Sequence, residues 1–201
     1  MEEELELMSS GLFTDEILSK CDAQRKIVLN KGISNSILEE ATLRILELNR
    51  EDANIPPEAR QPIWLYLQSN GGDVIAGLNL INAMNTSITP IFTVCFSMCA
   101  SMAFHIFISG HTRFAFKDSV LLMHDGSVAL WNSAAKAKDT MEFYNEVDCR
   151  LQKHVLSHTK MTEKYYKSIY TKEYYIFADN AKKLGCVDYI IGKDVDINTI
   201  L

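Results

Sequence analysis

Three strand-like apolar runs, each ending in residues of a different character, constrain this chain more than any other feature. Ile63-Trp64-Leu65-Tyr66-Leu67 leads into Ser69-Asn70-Gly71-Gly72-Asp73, after which Val74 to Met84 carries helical periodicity. Ile91 to Phe96 is β-branched and aromatic, and the Pro- and Gly-free stretch that follows predicts a buried helix beginning at Ser101. Val120-Leu121-Leu122-Met123 ends in His124-Asp125-Gly126. Strand 63–67, helix 73–86 and strand 91–97 make one crossover unit, and the wider alternation of strand and helix predicts an α/β fold.

The ends of these runs supply the parts of a serine nucleophile site. A serine where a helix begins sits beside unpaired backbone N–H groups and the positive end of the helix dipole, which suits a nucleophile whose attack creates an oxyanion. Taken alone, Ser101 reads better as a helix N-cap. Paired glycines let backbone N–H groups approach a substrate, although Asn-Gly-Gly also makes an ordinary strand-to-helix turn. A lone histidine at a strand end is commonly structural. With a nucleophile and an oxyanion loop at neighbouring strand ends, His124 becomes the expected general base.

Composition removes several other classes. The 201 residues, 47% of them hydrophobic, suffice for one compact domain, and there is no internal repeat. A balance of 20 basic against 26 acidic residues, net −6, with no basic stripe, argues against nucleic-acid binding. The start, Met1-Glu2-Glu3-Glu4-Leu5-Glu6, is acidic where a secretory signal is basic and then apolar, and no apolar run reaches membrane-spanning length. A cytoplasmic protein with no membrane partner is therefore expected. Cys21, Cys95, Cys99, Cys149 and Cys186 are odd in number and scattered, as reduced core thiols are. No metal or other cofactor is expected, since Cys95 and Cys99 are not a Cys-x-x-Cys pair and His105, His111, His154 and His158 lack ligand spacing.

Residues 1–24 read as an N-terminal arm and 25–201 as a single domain. Ser36-x-x-Glu39 has the form of a capping box opening a helix with Ile37, Ala41, Ile45 and Leu48 on one face. Glu51 to Pro62, with three prolines, reads as an extended exposed loop. Residues 133–158 form a long amphipathic helix, in which Met141, Tyr144, Val147, Cys149, Leu151 and Val155 serve either a core or an interface, and 162–170 form a shorter one.

On these motifs the chain resembles the Clp protease proteolytic subunit family, the ClpP-type serine peptidases. The resemblance covers roughly residues 25 to 192. It rests on Arg25-Lys26-Ile27-Val28-Leu29-Asn30, Leu65-Tyr66-Leu67 before Gly71-Gly72, Ala100-Ser101-Met102, Met123-His124, and Leu184-Gly185-Cys186-Val187-Asp188 within the run Ala178 to Ile190. It implies the ClpP/crotonase-like fold of repeated strand-strand-helix units, with residues 133–158 as the protruding handle helix. It implies Ser101 as nucleophile, His124 as base, and the N–H groups of Gly72 and Met102 as the oxyanion hole. It further implies self-assembly into a heptameric ring or a stacked double ring, polypeptide as substrate, and a hexameric AAA+ unfoldase ATPase as partner. The unfoldase pocket maps to Trp64, Tyr66, Val94, Phe96, Phe114 and Phe116. Alternating strand residues of this kind also face a core, but Phe114 and Phe116, beside Arg113 and Lys117, read as an exposed apolar patch.

The chain also departs from the family. The gapless run from His158-Thr159 to Ala178 puts Ile169, facing the distal nitrogen of His124, where the family has its triad acid. The expectation is a Ser101–His124 dyad, ahead of Glu173, Asp148 or Asp125 as substitute acids, Asp125 being poorly placed as the next residue along. Asn70 stands in place of Pro, Ala103 in place of Gly, and Asp125-Gly126 in place of Gln-Pro. Two alternatives stand beside the peptidase reading: a catalytically silent ring subunit, and a phage-type processing peptidase. Enoyl-CoA hydratase-like enzymes share the fold class, but Ser101 and His124 argue against them.

Overall fold

A computed structural model describes residues 14–126 and 133–201. The acidic start, and with it about half of the expected arm, lies outside the described residues, and 14–23 form a helix, α1. Seven strands make one sheet: β1 (Lys26–Leu29), β2 (Ile63–Ser69), β3 (Ile91–Ala100), β4 (Thr112–Phe116), β5 (Val120–Met123), β6 (Tyr174–Phe177) and β7 (Tyr189–Ile191). The order β1-β2-β3-β4-β7 is parallel throughout. The sheet is an α/β one, as expected, with α2 (Leu43–Glu51), α3 (Val74–Thr86), α4 (Met102–Ile108), α5 (Ala134–His158), α6 (Glu163–Ile169) and α7 (Ala178–Lys183).

Strand alternation divides the side chains between two apolar clusters. Ile63, Leu65 and Leu67 of β2 enter the main core with Leu80 and Met84 of α3 and Phe104 and Phe107 of α4. Trp64 and Tyr66 turn the other way and join Val94, Phe114 and Phe116. Ile37, Ala41, Ile45 and Leu48 are all buried, as their spacing predicts. The capping box is not formed: the helix opens with a π-helical turn, Leu38–Thr42, whose N-cap is Ile37, and Ser36 Oγ lies 2.9 Å from Ser34 Oγ. Beyond α2, residues 52–62 are mostly exposed, with Asp52 buried and Arg60 and Pro62 half-buried, but the segment is not extended. It holds two 3-10 turns, Asp52–Asn54 and Pro57–Ala59, anchored where buried Asp52 accepts from Arg25 Nη2 at 2.5 Å and Thr89 Oγ1 at 2.6 Å. A buried carboxylate needs such donors, and the apolar pattern of the loop gave no sign of them.

The length of β3 places the site. Phe92 to Cys95 pair with β4, and Met98 to Ala100 pair with β5, so β4 and β5 lie in succession along one edge of β3. The strand thus runs on to Ala100, beyond the expected end at 97, because β5 supplies a second partner. On its other edge the register jumps from Leu67↔Cys95 to Ser69↔Cys99, two residues of β2 against four of β3. This bulge bends the end of β3 just before Ser101.

Candidate active site

Ser101 joins β3 to α4 in a backbone conformation that serine seldom adopts. Its φ of 54° and ψ of −124° are those of the first central residue of a type II′ turn, a position that favours glycine. Holding a side chain there costs on the order of 1–3 kcal/mol. The Ser101 hydroxyl makes no capping hydrogen bond to α4, so the N-cap explanation fails. Its N–H donates to Leu122 O at 2.9 Å. With Ala100 level with Leu122, Ser101 is level with Met123, one residue short of His124.

The glycine pair stands beside this turn. A Cβ on Gly71, whose φ is +90°, would lie 2.6 Å from Ala100 O and 2.7 Å from Ser101 Cβ. Only glycine lets the β2 end approach the serine this closely. Gly72, with φ +148°, bridges Ile33, which donates to Gly71 O and accepts from Asp73 N, both at 2.9 Å. In a parallel bridge of this pattern the middle residue's own N–H points away from the bridging strand, so Gly72 N–H faces the other side. Met102 is the first residue of α4, where backbone N–H groups lack helical partners. Asp73 caps α3, accepting from Ala76 N at 2.7 Å, and fixes the exit of the loop. A cleft of about 340 Å³ adjoins, lined by Asn30, Lys31 and Gly32 after β1, by Gln68 and Ser69 of β2 with Asn70 beyond it, and by Ser97 and Met98 from the bulge.

His124 follows the last residue of β5, and its Nδ1 lies 2.8 Å from Glu173 Oε1. The reading of a dyad without an acidic partner is therefore corrected: an acceptor is present, and it is the carboxylate ranked below the dyad. Ile169 is buried in the main core on α6. Asp148 is directed elsewhere, hydrogen-bonded to Tyr170, with burial raising its pKa above the usual carboxylate range. The missed signal was register, since β5 and β6 are antiparallel with Met123 opposite Tyr174, which sets His124 opposite Glu173.

Behind the site the histidines are less scattered than their spacing implied. His105 is buried four residues after Ser101, and its pKa is pushed down to about 3, first by burial and then by His154 and His124, so it stays neutral. His154 Nε2 lies 3.2 Å from His105 O and 3.1 Å from Ser109 Oγ, and its ring centroid is 4.1 Å from that of His158. The i, i+4 spacing of His154 and His158 on α5 was the available sign of that contact. Among the described residues no group of three or more His, Cys, Asp or Glu is placed to hold a metal ion. The five cysteines are free; Cys95, Cys99 and Cys186 are buried and Cys149 is exposed.

The aromatic residues expected to form a partner pocket do come together, though not all at the surface. Trp64 packs on Phe92 and Phe114 with centroids at 5.2 and 5.4 Å, and Phe96 packs on Tyr66 and Phe116 at 5.2 and 5.3 Å. Val94 and Phe114 are buried, which corrects the reading of Phe114 as exposed. Tyr189 stacks on Phe114, Ile200 folds into the same cluster, and Tyr66 Oη donates to Ile200 O. Arg113 is no exposed flank either, for it forms a two-pronged pair with Asp188 and donates to His158 O.

A largely parallel α/β sheet thus gathers at its strand ends a strained serine, a histidine with a carboxylate partner and a glycine loop. The comparisons specify the family. The Clp protease family model matches residues 9–194. The chain is 26% identical over 182 residues to the ATP-dependent Clp protease proteolytic subunit 2 of Prochlorococcus marinus, covering 88% of this chain and 86% of that protein. It is 23% identical over 180 residues to the proteolytic subunit 1 of Bacillus cereus, covering 89% and 90%, and 26% identical over 187 residues to the subunit 2 of Corynebacterium diphtheriae, covering 91% and 90%. The chain belongs to the Clp protease family.

Proposed function

We propose that the chain is a serine endopeptidase subunit that hydrolyses unfolded polypeptide through an acyl-enzyme. The observation that carries this reading is the conformation of Ser101: a non-glycine residue held at a glycine-favouring turn, its hydroxyl not spent on a cap, with β5 delivering His124 one residue beyond. Ser101 Oγ attacks the scissile carbonyl carbon as His124 Nε2 takes the hydroxyl proton. The carbonyl oxygen becomes an oxyanion and accepts from the N–H groups of Gly72 and Met102. As the tetrahedral intermediate collapses, the C–N bond breaks and His124 returns the proton to the leaving amine. Water then repeats the sequence on the ester and frees the carboxylate and Ser101.

The cleft at the ends of β1, β2 and β3 takes an extended peptide, with Lys31, Asn70 and Met98 at its walls. The alternative of a silent ring subunit drew on the lack of an acceptor for His124, and a carboxylate at Nδ1 supports the active reading over it. Assembly into a ring of seven, or a double ring, fits α5: only Val147, Leu151 and Val155 are buried in the domain, while Met141 and Phe143 are 43% and 50% exposed. Trp64, Tyr66, Phe96 and Phe116, all incompletely buried, would receive an apolar loop of an AAA+ unfoldase, with Val94 and Phe114 as the floor. The test pairs turnover of a short fluorogenic peptide with sedimentation. We expect peptide hydrolysis by a seven- or fourteen-subunit particle, and a stable monomer without turnover would overturn the proposal.

A further inference from the structure

The segment that follows β7 turns back onto the aromatic cluster of the sheet. The chain reverses at Gly192, whose N–H donates to Val195 O at 2.8 Å. Asp194 pins the root, its carboxylate accepting from Ile190 N and from Lys182 Nζ, both at 2.7 Å. Asp196 then caps a 3-10 turn, Ile197–Ile200, by accepting from Asn198 N at 2.8 Å. That turn sets Ile200, 3% exposed, with Val94, Phe114 and Ile191, and Trp64, Tyr66 and Phe116 pack around them. Resting on the reading of these aromatic residues as the dock for an unfoldase loop, we propose that residues 195–200 are a tethered occupant of that dock, which an incoming apolar loop displaces.

The tip of the segment is held more lightly than its root. Between Asp196 and Leu201, the bond from Tyr66 Oη to Ile200 O is the one hydrogen bond to the rest of the molecule among the described residues. Ile197 and Leu201 are 48% and 73% exposed, so one buried side chain, with Val195 at the edge of the cluster, holds the turn down. Burial pushes the Tyr66 hydroxyl up to about 12, so it remains a donor near neutral pH. An apolar cavity of about 190 Å³, lined by Val28, Leu29, Tyr66 and Phe96 among others, shares Tyr66 with the cluster and is already open. An incoming loop thus has a foothold at Tyr66 before Ile200 leaves, and departure of Ile200 uncovers Val94 and Phe114. A dock that is open for only a fraction of the time binds its ligand more weakly by that fraction.

The test uses the segment itself as the probe, a fluorescein-labelled synthetic peptide of residues 193–201 added in trans and followed by polarisation. A carboxylate cannot stay unpaired in the apolar cluster, so Ile200→Asp opens the dock and should bind the peptide at least tenfold more tightly than the wild type does. The wild type should still bind it saturably. Adding Tyr66→Phe to Ile200→Asp should weaken the peptide roughly two- to tenfold, through the lost hydrogen bond. Separately, Trp131→Phe leaves Trp64 as the single tryptophan of the original two. In that background acrylamide should quench Trp64 more strongly in Ile200→Asp, and the peptide should reverse the gain; Ile200→Ala, read in its place if the aspartate variant does not fold, should shift both measurements in the same direction by less. Equal peptide affinity for the wild type and the open variant, unchanged quenching of Trp64, or a wild type that excludes the peptide at every concentration would overturn the displaceable occupant. Neither measurement needs turnover or an unfoldase, so an inactive chain would overturn the peptidase reading alone.

Discussion

Ser101→Gly should give a protein that has lost its activity and gained stability, whereas Ser101→Ala should lose activity with stability unchanged. The two variants separate the hydroxyl from the backbone. Alanine keeps the Cβ and hence the strain of φ 54°, ψ −124°; glycine removes both. Relief of strain on the order of 1–3 kcal/mol, less the roughly 0.5–1 kcal/mol that glycine costs in chain entropy, leaves a net gain of about 1 kcal/mol. For a chain of this size that raises Tm by about 2–4 °C. Turnover should fall in both variants by a factor on the order of 10⁴–10⁶, because in the proposed mechanism no other group supplies the attacking oxygen. Thermal melts and peptide assays on the same preparations check the pair. Were Ser101 a cap after all, alanine would lower stability by about 1 kcal/mol and leave turnover alone.

Ile169→Asp should destabilise the protein severely and fail to raise its activity. Reasoning from the family pattern alone leads to the opposite expectation, an aspartate restored to the distal nitrogen of His124. In the structure that nitrogen already faces Glu173 at 2.8 Å, and Ile169 is buried among apolar side chains. A carboxylate placed there either stays charged without a partner or binds a proton, and both outcomes disfavour the fold. A loss of about 3–5 kcal/mol is expected, by analogy with a buried charge stripped of its partner, equivalent to a fall in Tm of roughly 6–20 °C. Calorimetry checks the first part and peptide turnover below the melting transition the second. A gain in turnover of tenfold or more would show that Glu173 does not orient His124 and that position 169 can.

How far the sequence could be read depended on whether a feature was local. Periodicity identified β2, α3 and the long α5, since burial on one face repeats along the chain itself: Ile63, Leu65 and Leu67 alternate, and Ile37, Ala41, Ile45 and Leu48 follow the helix. The Gly71-Gly72 loop and the turn at Ser101 were visible as strand ends. The choice of Glu173 over a bare dyad, Asp148 or Asp125 was not, because it depends on which strand lies beside β5 and in what register, and Tyr174 to Phe177 carry no sign of that choice. Counting residues from His158 fixed attention on Ile169, although the antiparallel edge brings a residue four positions later to the same histidine. The burial of Phe114 was hidden for a similar reason, since Ile200 and Tyr189 reach it from far along the chain.

The reactivity of one hydroxyl separates a nucleophilic centre from a structural serine. Incubation of the full chain with a serine-directed fluorophosphonate, followed by digestion and mass spectrometry, should place a single phosphonyl group on Ser101. Labelling should drop by an order of magnitude or more in His124→Ala, since the proposed mechanism has His124 accept the proton that the attacking oxygen loses. No modification, or equal modification of Ser101 and the other accessible serines, would contradict a nucleophilic centre at the end of β3.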